Sequence, residues 1–291
     1  MVNKKQQDVT PINSGSSGDR VVVKSNKVIE ASYQLSISEQ RILLTCISKI
    51  DSRSDLSSNT EFIVTASEIS DLLGSPNTGG TYRDIKAATE RLYRRSVTID
   101  DPDPDNPKIK QRKTRWISSI DYMPGEGRLK LTFALGILPY LSLLSKNFTK
   151  YKLQHVAKFN IIHSLPLYEL LVQWSSTGER EIEIEWLKEK LKLSGKYSRT
   201  IDFKKRVLEP SIKEINKHSN LWVEYGDRRT GRSITHFQFK FGVKGSQEKG
   251  VSHQPKPPSP FKKITKSVIE SSARPGESYE QVEARLRQER N

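Results

Sequence analysis

Cysteine is nearly absent: Cys46 is the only one in 291 residues. An intramolecular disulfide and a thiolate metal cluster are therefore excluded, and a reducing, intracellular compartment fits best. No apolar run approaches the ~20 residues needed to span a bilayer. The first twenty residues are polar, with Gly and Ser clustered at 14–18, and lack the apolar core of a signal peptide. Histidine is sparse. His155, His163, His218, His236 and His253 are scattered, without a His-apolar-His pair or zinc-ligand spacing. No G-x-S-x-G elbow occurs. The stretch GSPNTGGT (74–81) precedes a helical pattern as a P-loop would, but Gly80 stands where a P-loop needs lysine to neutralise phosphates. The acidic run DDPDPDNP (100–107) lacks the glycine and terminal glutamate of an EF-hand. These gaps point to a binding protein with no catalytic centre, cofactor or metal.

Positive charge is abundant, with 49 Lys and Arg against 34 Asp and Glu, a net +15. Such an excess favours an anionic partner, and nucleic acid is the commonest soluble one. The charge gathers in YSRTIDFKKRVLEPSIKEINKHS (197–219). At ~100° per residue, Phe203, Val207, Leu208, Ser211 and Ile215 share one arc. Arg199, Lys205, Arg206 and Lys213 share the opposite arc, with Asp202 and Glu209 among them. Lys204 falls on the apolar side, so its head must snorkel outward. Pro210 removes a hydrogen bond in mid-helix and is expected to kink it just after the basic turn.

Around this helix the chain repeats a pattern. Ser36 and Glu39 form a capping-box signature ahead of a helix carrying Leu43, Leu44, Ile47 and Ile50. FIVT (62–65) reads as a strand. Thr65 and Glu68 cap a short helix that Gly74 stops. A longer helix over 81–95 buries Tyr82, Ile85, Thr89 and Leu92 and presents Arg83, Lys86, Glu90, Arg91 and Arg94. Strands follow at 96–100, 114–122 and 128–135, then a short apolar helix at 138–144 and a basic connection, SKNFTKYKLQHVAKFN. The second round brings a helix at 164–176, a strand at 181–184, a helix at 185–193, the basic helix, and two alternating strands at 221–227 and 233–241 joined by the turn RRTGR. That turn places Arg228, Arg229 and Arg232 at a hairpin tip. Pairing Leu43 with Leu167, Ile63 with Ile182 or Ile184, Ile69 with Leu187 and Ile85 with Phe203 gives an offset of roughly 120 residues, as an internal duplication would. A short helix, a basic helix and a strand pair in that order make a winged helix, whose second helix reads the major groove while the hairpin touches the backbone. The expected fold is α+β: two tandem winged-helix domains at 21–150 and 151–243, a disordered arm at 1–20, and a Pro-rich linker (PKPPSP) and charged tail at 244–291.

Several long stretches resemble the replication initiator (Rep) proteins of iteron-containing, theta-replicating plasmids. They are VVVKSNKVIEASYQLSISEQRILL (21–44), LGILPYLSLLSKNFTKYKL (135–153), LPLYELLVQW (165–174), IDFKKRVLEPSIKEINKHSNLWVEY (201–225) and GRSITHFQFKF (231–241). The resemblance covers about 21–242. It implies a DNA-binding initiator of the bacterial cytoplasm that clasps repeated origin sites through two winged helices. It also implies opening of the adjacent duplex and recruitment of host replication proteins, among them the host initiator and helicase. Homodimers, in equilibrium with monomers, would repress the initiator's own gene, with the first domain supplying much of the dimer contact. By position, the second domain's DNA-contacting turn falls on Phe203, Lys204, Lys205 and Arg206, with Arg199 just ahead. Arg83, Lys86, Arg91 and Arg94 correspond in pattern in the first domain. A transcriptional repressor without an initiator role, or an origin-nicking nuclease, are the rival readings.

Overall fold

The computed structural model describes residues 19–73, 82–103, 106 and 108–245. The P-loop-like turn at 74–81, the PKPPSP linker, the charged tail beyond it and most of the N-terminal arm lie outside them. Among the described residues, no helix is long and apolar enough to cross a membrane.

The first unit opens with β1 (Val21–Ser25) and a single turn of helix, α1 (Asn26–Ile29). The Ser36–Glu39 capping box forms in full. Glu39 N–H donates to Ser36 Oγ at 3.4 Å, and Ser36 N–H donates to Glu39 Oε2 at 2.7 Å. It starts α2 (Ile37–Ile47). After β2 (Glu61–Thr65) only half of the second box appears: Glu68 N–H donates to Thr65 Oγ1 at 3.1 Å. The Glu68 carboxylate turns instead to Arg20 at 2.7 Å and Lys49 at 2.9 Å. Two charges at hand outweigh one backbone donor. Then come α3 (Ala66–Leu73) and α4 (Tyr82–Arg94), the latter burying Ile85, Ala88, Thr89 and Leu92.

Three expectations need correction here. The strand expected at 114–122 is two strands, β4 (Gln111–Arg115) and β5 (Ile117–Met123), in different sheets. They break at Trp116, which is fully buried and meets Tyr33 edge-on at 5.1 Å, so the chain turns its corner on an indole. β4 pairs with β3 (Ser96–Asp100), and β5 with β6 (Arg128–Phe133). The helix expected at 138–144 is a 3-10 turn, Leu135–Tyr140, with Pro139 inside it. The basic connection contains β7 (Phe148–Lys152), antiparallel to β1. Thr149 and Tyr151 point inward there, and the intervening lysines hide that two-residue period.

The second unit runs α5 (Ser164–Val172), β8 (Glu179–Glu183), α6 (Ile184–Lys190), α7 (Thr200–Phe203), a π turn (Lys204–Leu208), α8 (Glu209–His218), β9 (Leu221–Thr230) and β10 (Ser233–Val243). Its sheet has the order β8-β10-β9, and the first unit's has β2-β6-β5. In each, the strand ahead of the helix pair hydrogen-bonds to the last strand of a closing hairpin. One topology therefore occurs twice, with the β3–β4 hairpin added to the first copy. The core equivalents are Val64 with Ile182, Ile69 with Leu187 and Ile85 with Phe203, all buried. Val64 replaces the expected Ile63 because alternation along β2 turns Phe62 and Val64 inward.

Side chains bind the two copies together. Lys24 on β1 and Glu169 on α5 form an ion pair at 2.6 Å, with side chains 1% and 0% exposed. Tyr33 and Tyr151 donate their hydroxyls to the same carboxylate. Burial, reinforced by Glu169, pushes both phenols well above their ordinary range. The segment leading to α5 is held from both sides. Arg41 of α2 donates to Phe159 O at 3.1 Å and Asn160 Oδ1 at 2.9 Å, and Glu214 of α8 accepts from the backbone of Asn160 at 2.7 Å and Ile161 at 3.0 Å.

His163, at the start of α5, is pushed down to about 4 from an ordinary 6.5, by burial first and by Lys196 second. The folded state disfavours its protonation, so stability is expected to fall as pH drops from about 6.5 towards about 4. Urea midpoints measured across that window should decline less steeply in His163→Gln. Equal slopes in both proteins would contradict the assignment.

Candidate nucleic-acid interface

Pro210 shapes the basic helix, though not by a simple kink. It lacks the N–H that would bond Arg206, and its ring would crowd that carbonyl. The chain widens one turn instead: Glu209 N–H donates to Lys204 O, five residues back, and α8 restarts with proline in its first turn, where it is tolerated. Phe203, Val207, Leu208, Ile212 and Ile215 are buried, and Phe203 stacks on Phe237 of β10 at 6.1 Å.

The cations on this helix divide. Arg199 caps α7, is 75% exposed and lies 3.8 Å from Asp202. Lys205, Arg206 and Lys213 are exposed. Lys204 is drawn inward as its helical position requires. Its Nζ lies 3.0 Å from both carboxylate oxygens of Asp227 on β9 and 5.1 Å from the centre of the Tyr225 ring. Tyr225 in turn donates its hydroxyl to Glu209 at 2.9 Å. This cluster fastens the helix to the hairpin behind it.

The hairpin is longer than expected. Arg228 and Arg229 lie within β9, and the tip is Gly231–Arg232, where Gly231 takes a left-handed φ of 62°. Arg228 is held back across the sheet by an ion pair with Glu181 of β8, which also accepts from Gln238 at 2.9 Å. Arg229 reaches the carbonyl of Arg232 at 3.4 Å. Arg229 and Arg232 thus mark the wing tip, while Arg228 braces its base.

In the first unit, α4 presents Arg83, Lys86 and Arg94 to solvent. The Lys86 Nζ lies 5.0 Å from the centre of the Tyr122 ring. Arg91 turns to the buried carboxylate of Glu39 at 3.4 Å, beside Arg95 at 3.1 Å. Beneath the end of α4, a cleft of about 760 Å³ is lined by Tyr93, Arg94, Lys113 and Arg115 among others. The sequence pattern assigned no role to Lys113 and Arg115. The signal was available, because Gln111, Lys113 and Arg115 occupy the exposed face of an alternating strand.

The chain thus carries two winged helices of one topology, each with an exposed basic second helix. Residues 21–172 match the family described as "Initiator Replication protein, WH1", and residues 183–241 match "Initiator Rep protein, WH2". The chain belongs to the initiator replication protein family.

Within that family, a replication initiation protein of Escherichia coli is 27% identical over 209 residues, covering 69% of this chain and 63% of that protein. The chain thus matches under two thirds of that relative's length. The PI protein of Escherichia coli is 26% identical over 248 residues, covering 75% of this chain and 81% of the relative. The crystal structure of the Pi initiator protein in complex with iteron DNA has the same fold, with a TM-score of 0.66 at 24% identity, covering 78% of this chain and 99% of that one.

Proposed function

We propose that the chain is a plasmid replication initiator that binds repeated duplex sequences at an origin through both winged helices. The N-terminal part of the basic helix enters the major groove, where Arg199, Lys205 and Arg206 face base edges. Lys213 follows the backbone farther along, and Arg229 and Arg232 at the wing tip neutralise phosphates. Arg83, Lys86 and Arg94, with Lys113 and Arg115 beside them, give the first unit a phosphate-binding face. Lys204, Arg228 and Arg91 serve the same surface indirectly, through Asp227, Glu181 and Glu39. The protein works in the bacterial cytoplasm by binding alone, without a chemical step. It opens the adjoining duplex, recruits the host initiator and helicase, and as a dimer represses its own gene.

The observation that carries this reading is the pairing of an exposed basic helix with a basic wing tip in a fold repeated within one chain. Two heads on one chain suit a site longer than one helical turn. The test is a gel-shift series with the full chain on duplexes taken from the DNA flanking its gene. Preferred binding to a tandemly repeated segment, and failure of a plasmid with that segment to replicate without the protein, are expected. Preferred binding without any need for the protein in replication would leave a repressor. Nicking of the supercoiled duplex would overturn the non-catalytic assignment.

A further inference from the structure

Ile201 does not behave like the other apolar residues of the basic helix. Phe203, Val207, Leu208, Ile212 and Ile215 are all buried, whereas Ile201 is 41% exposed. It sits in the first turn of α7, two residues after Arg199 and one turn ahead of exposed Lys205, whose side of the helix it shares at i, i+4 spacing. A lone exposed apolar side chain is ordinary on a protein surface, so its place at the start of the basic helix, and not its exposure, carries the inference. Its surroundings say what could cover it. A basic surface draws a polyanion, and the first turn of a second helix in this fold is the part that meets base edges. On those edges the major groove offers one apolar group, the C5 methyl of thymine.

We propose that Ile201 is a specificity residue that packs on the C5 methyl of a thymine within the site bound by the second winged helix. The inference rests on the major-groove placement given above. Thymine carries that methyl on the edge where arginine grips guanine, so one turn of helix reads both kinds of base pair. Arg199 or Arg206 takes a hydrogen-bonding pattern, and Ile201 takes shape and apolarity. Removing the methyl should weaken binding about four-fold, the worth of one buried methyl group.

The test uses the full chain and a duplex selected by it from a random pool. Each thymine of the selected site is replaced singly by deoxyuridine, which deletes the C5 methyl and keeps every hydrogen-bonding atom. Dissociation constants are then measured for the wild type and for Ile201→Ala. One position is expected at which deoxyuridine costs the wild type about four-fold and costs Ile201→Ala nothing further. The inference is overturned if no thymine shows a penalty, or if the penalty persists undiminished in the variant. A uniform loss by Ile201→Ala on all duplexes, without deoxyuridine sensitivity, would place Ile201 on the sugar-phosphate backbone and equally overturn it. Each of those outcomes leaves sequence-specific binding standing. Failure of the wild type to enrich any sequence would bring down the initiator reading along with this inference.

Discussion

Replacing Lys24 with methionine is expected to lower the unfolding free energy by about 3–5 kcal/mol, the cost of leaving a buried charge without its partner. Lys24 and Glu169 are shut off from solvent, and the carboxylate keeps only two phenol hydroxyls when the ammonium is removed. Water cannot take the place of the lost cation without opening the contact between β1 and α5. The double variant Lys24→Met/Glu169→Gln removes both charges and leaves an amide oxygen for the tyrosines, so it should recover most of the loss. Urea unfolding followed by tryptophan fluorescence measures both. If the single variant came within about 1 kcal/mol of the wild type, in the range of an ordinary surface change, the pair would not be a structural tie.

Arg206→Ala should weaken binding to the selected site by about 1–3 kcal/mol and leave binding to unrelated duplex much less affected, as a base contact requires. Arg206 is exposed and lies just before buried Val207, so the guanidinium can be deleted without opening the core. Arg229→Ala provides the contrast. A phosphate contact at the wing tip should weaken all duplexes alike and reduce the dependence of log K on log salt by about one contact. If both variants lost affinity uniformly, the helix would be gripping the backbone only, and sequence would be read elsewhere.

Much of this architecture was legible in the sequence because its signals are local. The Ser36–Glu39 box spans three residues, and the inward arc of α4 is set by helical period. The turn of Lys204 away from the exposed basic face also follows from helical spacing, but its partner does not. Asp227 lies 23 residues on, on a strand that only the folded sheet brings near. Likewise, nothing near Arg91 in the chain announces Glu39, which is buried by tertiary packing. β7 was obscured because its exposed positions carry Phe148, Lys150 and Lys152 and one inward position is a threonine, so apolarity does not alternate. Trp116 splits what reads as a single strand because a large side chain at a corner is committed to the interior by its neighbours, not by its place in the chain.

The widened turn at Lys204–Leu208 sets the direction in which the start of the basic helix faces. A five-residue hydrogen-bonded turn acts like the insertion of one residue into an α-helix, so α7 is rotated by about 100° about the axis relative to α8. α8 is clocked by the core through Ile212 and Ile215 and α7 through Phe203, and the wider turn ahead of Pro210 lets both settings hold in one helix. Pro210 therefore works as an azimuth setting: by forcing the wider turn, it sets the compass bearing of Ile201 relative to the residues of α8.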